Sequence, residues 1–182
     1  MTRPAILLPA LFLAAACASA PATPPAASDA PFIIERDLAG ATLARGEFSA
    51  INGLRRGFTA WLDGELSGDV FTLRERFEYD DGEKDQKTWV LTRTGPGSYE
   101  GVREDVVGKA RGWQDGNAFR LEYDMRLPNP DGTPGLEVRF RDIMVKTTDG
   151  SVLNHATVGK WGFRIGRVEL EIRRPAPGAS GR

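Results

Sequence analysis

Residues 115–127 read DGNAFRLEYDMRL, and this stretch decides the fold. It opens on an Asp-Gly pair, after which apolar and charged residues alternate as far as Leu127. Alternation with a period of two is typical of a β-strand that buries one face, because successive side chains point to opposite sides of a strand. An Asp-Gly pair before such a segment is a hairpin signal, since both residues tolerate a positive φ. The stretch therefore predicts a strand of an antiparallel sheet that follows a tight turn.

The same two signals recur along most of the chain. Residues 71–79 and 167–173 alternate in a similar way, and further Asp-Gly pairs lie at residues 63–64, 81–82, 131–132 and 149–150. We expect about ten strands, near residues 43–49, 55–63, 70–80, 86–94, 98–104, 107–114, 117–127, 136–147, 151–158 and 163–173. A turn or two of helix is expected around residues 35–39, where Gly40 ends it.

Ten hairpin-linked strands need somewhere to hide their apolar faces. Closing the sheet into a barrel gives these faces a common interior, and it also removes the exposed edges that an open sheet has to protect. We therefore predict an all-β fold, an antiparallel meander of about ten strands that closes into a barrel, with a short helical turn before it. A flatter sandwich of two sheets is the alternative.

The first sixteen residues have the layout of a secretory signal. Arg3 supplies a positive charge, and an apolar run follows that ends in small residues. This run is shorter than the roughly 20 apolar residues that a membrane-spanning helix needs. The pattern therefore predicts an exported protein with a cleaved signal peptide.

Two processing sites compete after this run. Residues 18–20, Ala-Ser-Ala, offer an ordinary signal peptidase site, although Pro21 would then follow the cut. Residues 13–17, Leu-Ala-Ala-Ala-Cys, resemble a lipobox, in which the cysteine is acylated and becomes the first residue of the mature protein. We favour the lipobox and predict that Cys17 is the lipidation site through which the protein is anchored to a membrane.

These features divide the chain into four parts. We predict a signal peptide at residues 1–16, a lipidated cysteine with an Ala/Pro-rich tether at 17–31, a β-barrel domain at 32–174 and a disordered tail at 175–182. Because Ala18 rather than Asp follows the cysteine, we expect a lipoprotein in the cell envelope of a Gram-negative bacterium, in the outer membrane and facing the periplasm.

Composition argues against several classes of function. The formal net charge is −1, from 24 basic and 25 acidic residues, so there is no basic bias of the kind that nucleic-acid binding requires. The single cysteine rules out an internal disulfide and a thiolate metal cluster, and the single histidine, His155, rules out a two-histidine metal site within one chain. We therefore expect no metal, no cofactor and no catalytic residues, and we favour a binding protein over an enzyme.

Two acidic residues fall on strand faces that should be apolar. Glu75 shares the face of Leu73, and Asp142 shares the face of Met144. A carboxylate on a buried face is costly unless it is paired or reached by water. Either both line a polar spot in a cavity and orient a ligand, or each pairs with an arginine and only locks the barrel, or a β-bulge turns them outward. The structural explanations are the commoner ones.

Three further residues complete the candidate ligand site. Asn154 and His155 lie in the strand expected at residues 151–158, where they could join the polar spot, and Trp89 could belong to an aromatic wall around a lipid. The ordinary alternatives are a histidine satisfied by the backbone and a tryptophan of the core. The candidate ligand-binding residues are therefore Glu75, Asp142, Asn154, His155 and Trp89.

Several blocks of residues, in order along the predicted barrel domain, resemble a known family. They are Tyr79-Asp80-Asp81-Gly82-Glu83 with Trp89, Tyr99-Glu100-Gly101, Asp105-Val106-Val107-Gly108-Lys109-Ala110-Arg111-Gly112, Gly116-Asn117-Ala118, Asp142-Ile143-Met144, Leu153-Asn154-His155-Ala156, and Lys160-Trp161-Gly162-Phe163 with Gly166. The chain is thereby similar to DUF3833, a family of uncharacterised proteins of Gram-negative bacteria that are often described as lipoproteins. The resemblance implies a lipocalin-like barrel and an envelope location, and it supplies no catalytic residues. Ile143 departs from the family pattern, which has a tryptophan at this position.

The expected location and the apolar interior lead to three hypotheses. The first is a membrane-anchored periplasmic lipoprotein that binds or shields a small hydrophobic ligand, such as a fatty acid or a phospholipid. The second is a non-catalytic envelope scaffold whose barrel is packed solid and whose outer strands dock an unidentified protein. The third is an enzyme for a lipid-like substrate that uses Glu75, Asp142 or His155. A cavity inside the barrel favours the first hypothesis, and a solid core favours the second.

Overall fold

A computed structural model describes residues 20–129 and 133–175. In these residues a short helix, α1 (Ile34–Asp37), precedes ten β-strands. The strands are β1 (Gly40–Ala50), β2 (Arg55–Ser67), β3 (Val70–Tyr79), β4 (Lys84–Gly95), β5 (Ser98–Val102), β6 (Val106–Asp115), β7 (Ala118–Pro128), β8 (Pro134–Lys146), β9 (Val152–Lys160) and β10 (Phe163–Arg173). No helix in this described part of the chain is long and apolar enough to span a membrane.

The ten strands form one closed antiparallel barrel. Each strand pairs with the next along the chain, and β1 pairs with β10, so that Phe48 lies opposite Val168. The prediction of an all-β barrel that follows a short helical turn is therefore confirmed, and the sandwich alternative is wrong. The inward-facing residues are those that the alternation assigns to the buried face, such as Leu121 and Tyr123 on β7.

One of the predicted turns is wrong. Asp63 and Gly64 lie inside β2, which continues to Ser67, and the chain turns at residues 68–69 instead. Gly64 is needed for a different reason, because a Cβ at this position would stand 2.0 Å from the carbonyl oxygen of Leu38. The glycine lets the chain that leaves α1 pass directly over β2, which a larger residue would prevent.

Helix α1 and the residues beside it close one end of the barrel, here called the plugged end. This region contributes three interior side chains that are at most 2% exposed, Phe32, Ile34 and Leu38. Glu35 accepts a hydrogen bond of 2.6 Å from the Tyr99 hydroxyl and one of 2.5 Å from Arg93, which ties the helix to β4 and β5. The opposite end, where the loops β1–β2, β3–β4, β5–β6, β7–β8 and β9–β10 lie, is called the mouth.

Residues before α1 also contact the plugged end. Ala27 forms a β-bridge with Thr147, directly after β8. The guanidinium of Arg120, near the start of β7, donates to the carbonyl oxygen of Pro21 at 3.3 Å. Part of the segment predicted as a tether therefore lies against the barrel, at the end that α1 closes.

Several predictions concern residues outside the described ranges. The signal peptide at residues 1–16, the lipidation site Cys17 and the Asp-Gly pair at 131–132 are among them, as is all but the first residue of the tail at 175–182. They stay predictions.

Candidate functional site

The barrel is hollow. A cavity of about 930 Å³ extends from α1, where Ile34 and Leu38 form its floor, to the mouth. Small-molecule sites in proteins occupy roughly 300–1,000 Å³, so this cavity is at the large end of that range. Its wall is mostly apolar and includes Phe58, Leu73, Trp89, Leu121, Phe140 and Ile172. A barrel packed solid, as the scaffold hypothesis requires, is not what the structure has.

Charged residues lie around the mouth of the barrel. The guanidinium of Arg56 lies 3.7 Å from the centroid of the Tyr79 ring, donates a 2.8 Å hydrogen bond to Asp81 and also bonds to Glu83. Arg56, Tyr79 and Glu83 all line the cavity. These contacts fix the loop between β3 and β4 against β2, and they frame the entrance with a polar edge.

A buried arginine lies in the cavity wall below the mouth. Arg103 belongs to the loop between β5 and β6, and its side chain is only 10% exposed. Its Nε donates to Asp105 at 2.7 Å, and its Nη1 lies 3.4 Å from Glu75 Oε2. The guanidinium also lies 4.7 Å from the centroid of the Trp89 ring and 5.6 Å from that of Tyr123. The arginine is thus held between two carboxyls and two aromatic rings.

The Glu75 carboxyl is weakly acidic in this setting. Burial raises the pKa of Glu75 to about 7, and the positive charge of Arg103 opposes this rise without cancelling it. The negative charges of Asp105 and Asp142 raise the pKa of Glu75 further. Near neutral pH the carboxyl therefore exists in both its charged and its neutral form.

Asp142 and Asn154 form the second polar group of the wall. The Asn154 amide donates a 3.0 Å hydrogen bond to Asp142 Oδ1, while Asp142 Oδ2 and Asn154 Oδ1 are buried without a partner among the described residues. Burial raises the pKa of Asp142 to about 7, against the hydrogen bond from Asn154, the charge of Arg103 and the hydroxyl of Tyr123. This carboxyl, too, changes its charge near neutral pH.

Four of the five candidate ligand-binding residues lie together in the structure. Glu75, Trp89, Asp142 and Asn154 all line the cavity, as the alternation along their strands predicts. The two carboxyls are close enough that the charge of Asp142 raises the pKa of Glu75. The sequence therefore located the polar part of the wall, and the role of these residues in ligand binding stays a prediction.

His155 does not line the cavity. It follows Asn154 on β9, and neighbours on a strand point to opposite faces, so its half-buried side chain lies outside the barrel. Its neighbours in register are Ile143 on β8 and Glu169 on β10. The prediction that His155 shares the polar spot with Asn154 is therefore wrong, because one strand cannot turn two consecutive residues inward.

Sequence reasoning missed two residues of the site. Arg103 was not a candidate, although it continues the inward-facing series of Tyr99 and Gly101 in the strand expected at residues 98–104. That series was the available signal. Tyr123 was recognised only as part of the apolar face, and its hydroxyl acts on the pKa of Asp142.

The cavity contains a permanently charged hydrogen-bond donor and two carboxyls. Only the carboxyls change their charge near neutral pH. Arg103 supplies positively charged N–H donors, and Glu75 and Asp142 supply carboxyls. Within residues 20–129 and 133–175, no three His, Cys, Asp or Glu side chains are placed so that they could hold a metal ion. The arrangement can orient the polar end of a molecule whose remainder lies on the apolar wall.

Comparison with protein families gives one match. Residues 11–174 match a family model described as "Protein of unknown function (DUF3833)". No curated protein matches the sequence.

Solved structures with a similar fold are distant in sequence. An S-type phycobiliprotein lyase, CPES, from Guillardia theta is similar with a TM-score of 0.59 and 8% identity, over 79% of this chain and 91% of the lyase chain. A redesigned β-barrel, mFAP1, bound to DFHBI, is similar with a TM-score of 0.40 and 9% identity, over 81% of this chain and 100% of that chain. At 8% identity, the likeness to the lyase shows a shared fold alone.

Proposed function

Since the chain belongs to the DUF3833 family, whose description states no function, we propose its function from the barrel itself: it binds or shields a small hydrophobic molecule, a fatty acid or another lipid. The observation that carries this proposal is the cavity of about 930 Å³ with a mostly apolar wall. A closed barrel whose interior is not filled by side chains is a fold that commonly encloses a ligand. The fold shared with the phycobiliprotein lyase supports small-molecule binding in general terms.

The energetics of the cavity suit an acyl chain. Transfer of each methylene group from water to an apolar environment is favourable by about 0.8 kcal/mol. The wall offers aliphatic and aromatic side chains along its length, from Leu38 at the floor to Leu127 near the mouth. The polar groups lie on one part of this wall, so an amphiphile can place its head group there and its chain on the rest.

The proposed place of action is the cell envelope. This part of the proposal rests on the sequence of residues 1–17, in which the predicted signal peptide precedes Cys17. An acylated protein of this kind would bind its ligand in the periplasm while held at the outer membrane. Expression of the full chain with radiolabelled palmitate tests the anchor, because the label should enter the wild type and not the Cys17→Ser variant.

Ligand binding is tested on the intact protein after extraction from membranes. Native mass spectrometry should detect a co-purified lipid, and a fluorescent fatty acid should bind and be displaced by unlabelled fatty acids. Ala60 lines the cavity on β2, so Ala60→Phe should fill part of it and weaken binding. Thr59 precedes it on the outer face, so Thr59→Phe is the matched control and should bind as the wild type does.

Two results would count against the proposal. The first is the absence of both co-purified lipid and fatty-acid binding in protein whose circular dichroism shows a folded barrel. The second is an equal effect of Ala60→Phe and Thr59→Phe, which would place the bound probe outside the cavity.

A further inference from the structure

We propose that the guanidinium of Arg103 holds the anionic head group of a single-chain amphiphile, and that this head group displaces Glu75, which takes up a proton as the ligand binds. The assignment rests on the proposed function and adds to it the chemical class of the head group. Carboxylate, phosphate and sulfonate groups share the required chemistry, a negative charge with several acceptor oxygens.

The two sides of the Arg103 guanidinium differ because only the side towards Asp105 has a short hydrogen bond, the one from Nε. On one side, Nε and Nη2 face Asp105 at 2.7 and 3.3 Å, a paired contact to both carboxylate oxygens. On the other side, Nη1 reaches Glu75 at 3.4 Å. Charged N–H···O⁻ bonds are usually about 2.7–2.9 Å long, so the contact with Glu75 is loose. A better-placed anion can therefore take over the Nη1 side without disturbing the contact with Asp105.

The position of Arg103 suits a head-group site. Its side chain lines the cavity, is 10% exposed and is flanked by the rings of Trp89 and Tyr123. Hydrogen bonds of a guanidinium are stronger where water is largely excluded, because the local dielectric is low. An acyl chain attached to the head group would continue along the apolar wall, past Leu121 and towards the floor.

The charges around Glu75 require a proton to enter with the anion. Six charged or titratable groups surround Glu75, namely Arg103, Asp105, Lys87, Tyr123, Asp142 and Asp85, which pairs with Lys87. Four carboxyls thus share the region with two basic groups, and a further anion would be repelled unless one carboxyl became neutral. Glu75 is the carboxyl in contact with Arg103, and burial already raises its pKa to about 7.

The exchange involves no covalent step. The ligand arrives as an anion, the carboxylate of Glu75 takes one proton from water, and Arg103 keeps its charge throughout. Binding of the anion therefore takes up a proton, and the affinity must be higher at low pH than at high pH. A neutral amphiphile of the same length has no reason to show this dependence.

Dodecyl sulfonate and dodecanol serve as the anionic and the neutral amphiphile of the same chain length. The sulfonate stays ionised across the whole pH range. Calorimetric titrations of the intact protein between pH 6 and pH 9, below micelle-forming concentrations, should show sulfonate affinity falling up to about tenfold per pH unit above pH 7. Dodecanol affinity should stay constant. Methanesulfonate, which has the head group without the chain, should not bind, and binding as tight as that of the long chain would point to a free-anion site instead.

Two variants locate the effect. Glu75→Gln should bind the sulfonate at pH 8.5 more tightly than the wild type by about tenfold, and most of the pH dependence should disappear. Glu78→Gln is the matched control, since Glu78 is on the same strand but exposed on the outer face. Arg103→Lys keeps the charge but loses the paired geometry, and it should weaken sulfonate binding about fivefold or more and dodecanol binding much less.

The outcomes distinguish this assignment from the proposed function. The head-group assignment is overturned if dodecanol binds in the cavity but sulfonate binding depends neither on pH nor on Glu75 and Arg103. The proposed function would still stand in that case. Absence of binding by both long-chain compounds contradicts the proposed function itself.

Discussion

The side-chain amide of Asn154 donates a 3.0 Å hydrogen bond to Asp142 across the neighbouring strands β8 and β9, inside the barrel. Asp142 is only 6% exposed, and one of its oxygens has no partner among the described residues. The pair therefore leaves a carboxyl in a setting that does not favour its charge. This relationship makes the stability of the barrel depend on pH.

Asp142→Asn should stabilise the barrel at pH 8. Burial raises the pKa of Asp142 to about 7, whereas in the unfolded chain it is about 3.9. The unfolded chain therefore releases this proton at lower pH than the folded one, and stability falls as the pH rises from about 4 to about 7. We expect the variant to be more stable by about 1–3 kcal/mol at pH 8 and nearly equal to the wild type at pH 4, as measured by urea unfolding. A variant that is less stable at pH 8 would contradict the assignment.

Glu35→Gln should loosen the plugged end. Burial opposes ionisation of Glu35, but the hydrogen bonds from Tyr99 and Arg93 outweigh it and hold the pKa of Glu35 below its usual value. The stabilisation is therefore present above the unfolded pKa and is lost as the pH falls through the folded pKa. We expect a loss of about 1–3 kcal/mol at pH 7 and a smaller one in acid.

Glu100→Gln is the control for this variant, because Glu100 pairs with Lys109 on the open surface. Such exposed pairs are worth little, so the control should change stability by less than about 1 kcal/mol. Equal losses for the two variants in urea unfolding would mean that the contacts of Glu35 do not hold α1 in place.

Gly64→Ala should destabilise the fold. The added methyl group would stand 2.0 Å from the Leu38 carbonyl oxygen and 2.8 Å from the Phe71 ring, so the chain after α1 must move. The cost should be about 1–3 kcal/mol, which is typical of overpacking. Gly95 is also in a strand but has open space around its Cβ position, so Gly95→Ala should be neutral or slightly stabilising. Thermal unfolding of the two variants checks both expectations.

Trp161→Asn should stabilise the hairpin between β9 and β10. Trp161 has a φ of 50° and is followed by Gly162 with a φ of 83°, a turn in which Asn-Gly is the favoured pair. The left-handed conformation costs a bulky residue about 1–2 kcal/mol, while asparagine tolerates it. The ring is 83% exposed and contacts Lys160 only at 5.4 Å, so little packing is lost. A drop in urea stability would show that the ring is held by contacts of its own.

The alternation of residues predicted most of this fold because each strand buries one face. Residues 119–127 illustrate this, since every second residue faces inward as the sequence indicates. Such a pattern reports which side of a strand is buried, and hairpin turns then fix the order of neighbours. It cannot report close approaches between distant segments, and for that reason the turn that the sequence predicts at Asp63 and Gly64 is wrong.

The candidate site was predictable to the same degree. Glu75 and Asp142 break an apolar series, and that break correctly indicates polar groups facing the interior. Arg103 continues the inward-facing series of β5, but alternation along one strand does not show that the β5–β6 loop brings this side chain against Glu75. The size of the cavity depends on barrel closure and on the volume left between side chains, and neither is encoded in a local pattern.

The attachment of the N-terminal segment determines which way the barrel would point. The carbonyl oxygen of Pro21 accepts a 3.3 Å hydrogen bond from Arg120 at the plugged end. Pro21 is only four residues after Cys17, and four residues of extended chain span at most about 14 Å. A tilted strand of the length of β7 is roughly 25 Å tall, so an acyl group on Cys17 would hold the plugged end closer to the bilayer than the mouth. With an anchor at Cys17, as predicted, the opening of the barrel would face the aqueous space rather than the leaflet that holds the acyl group.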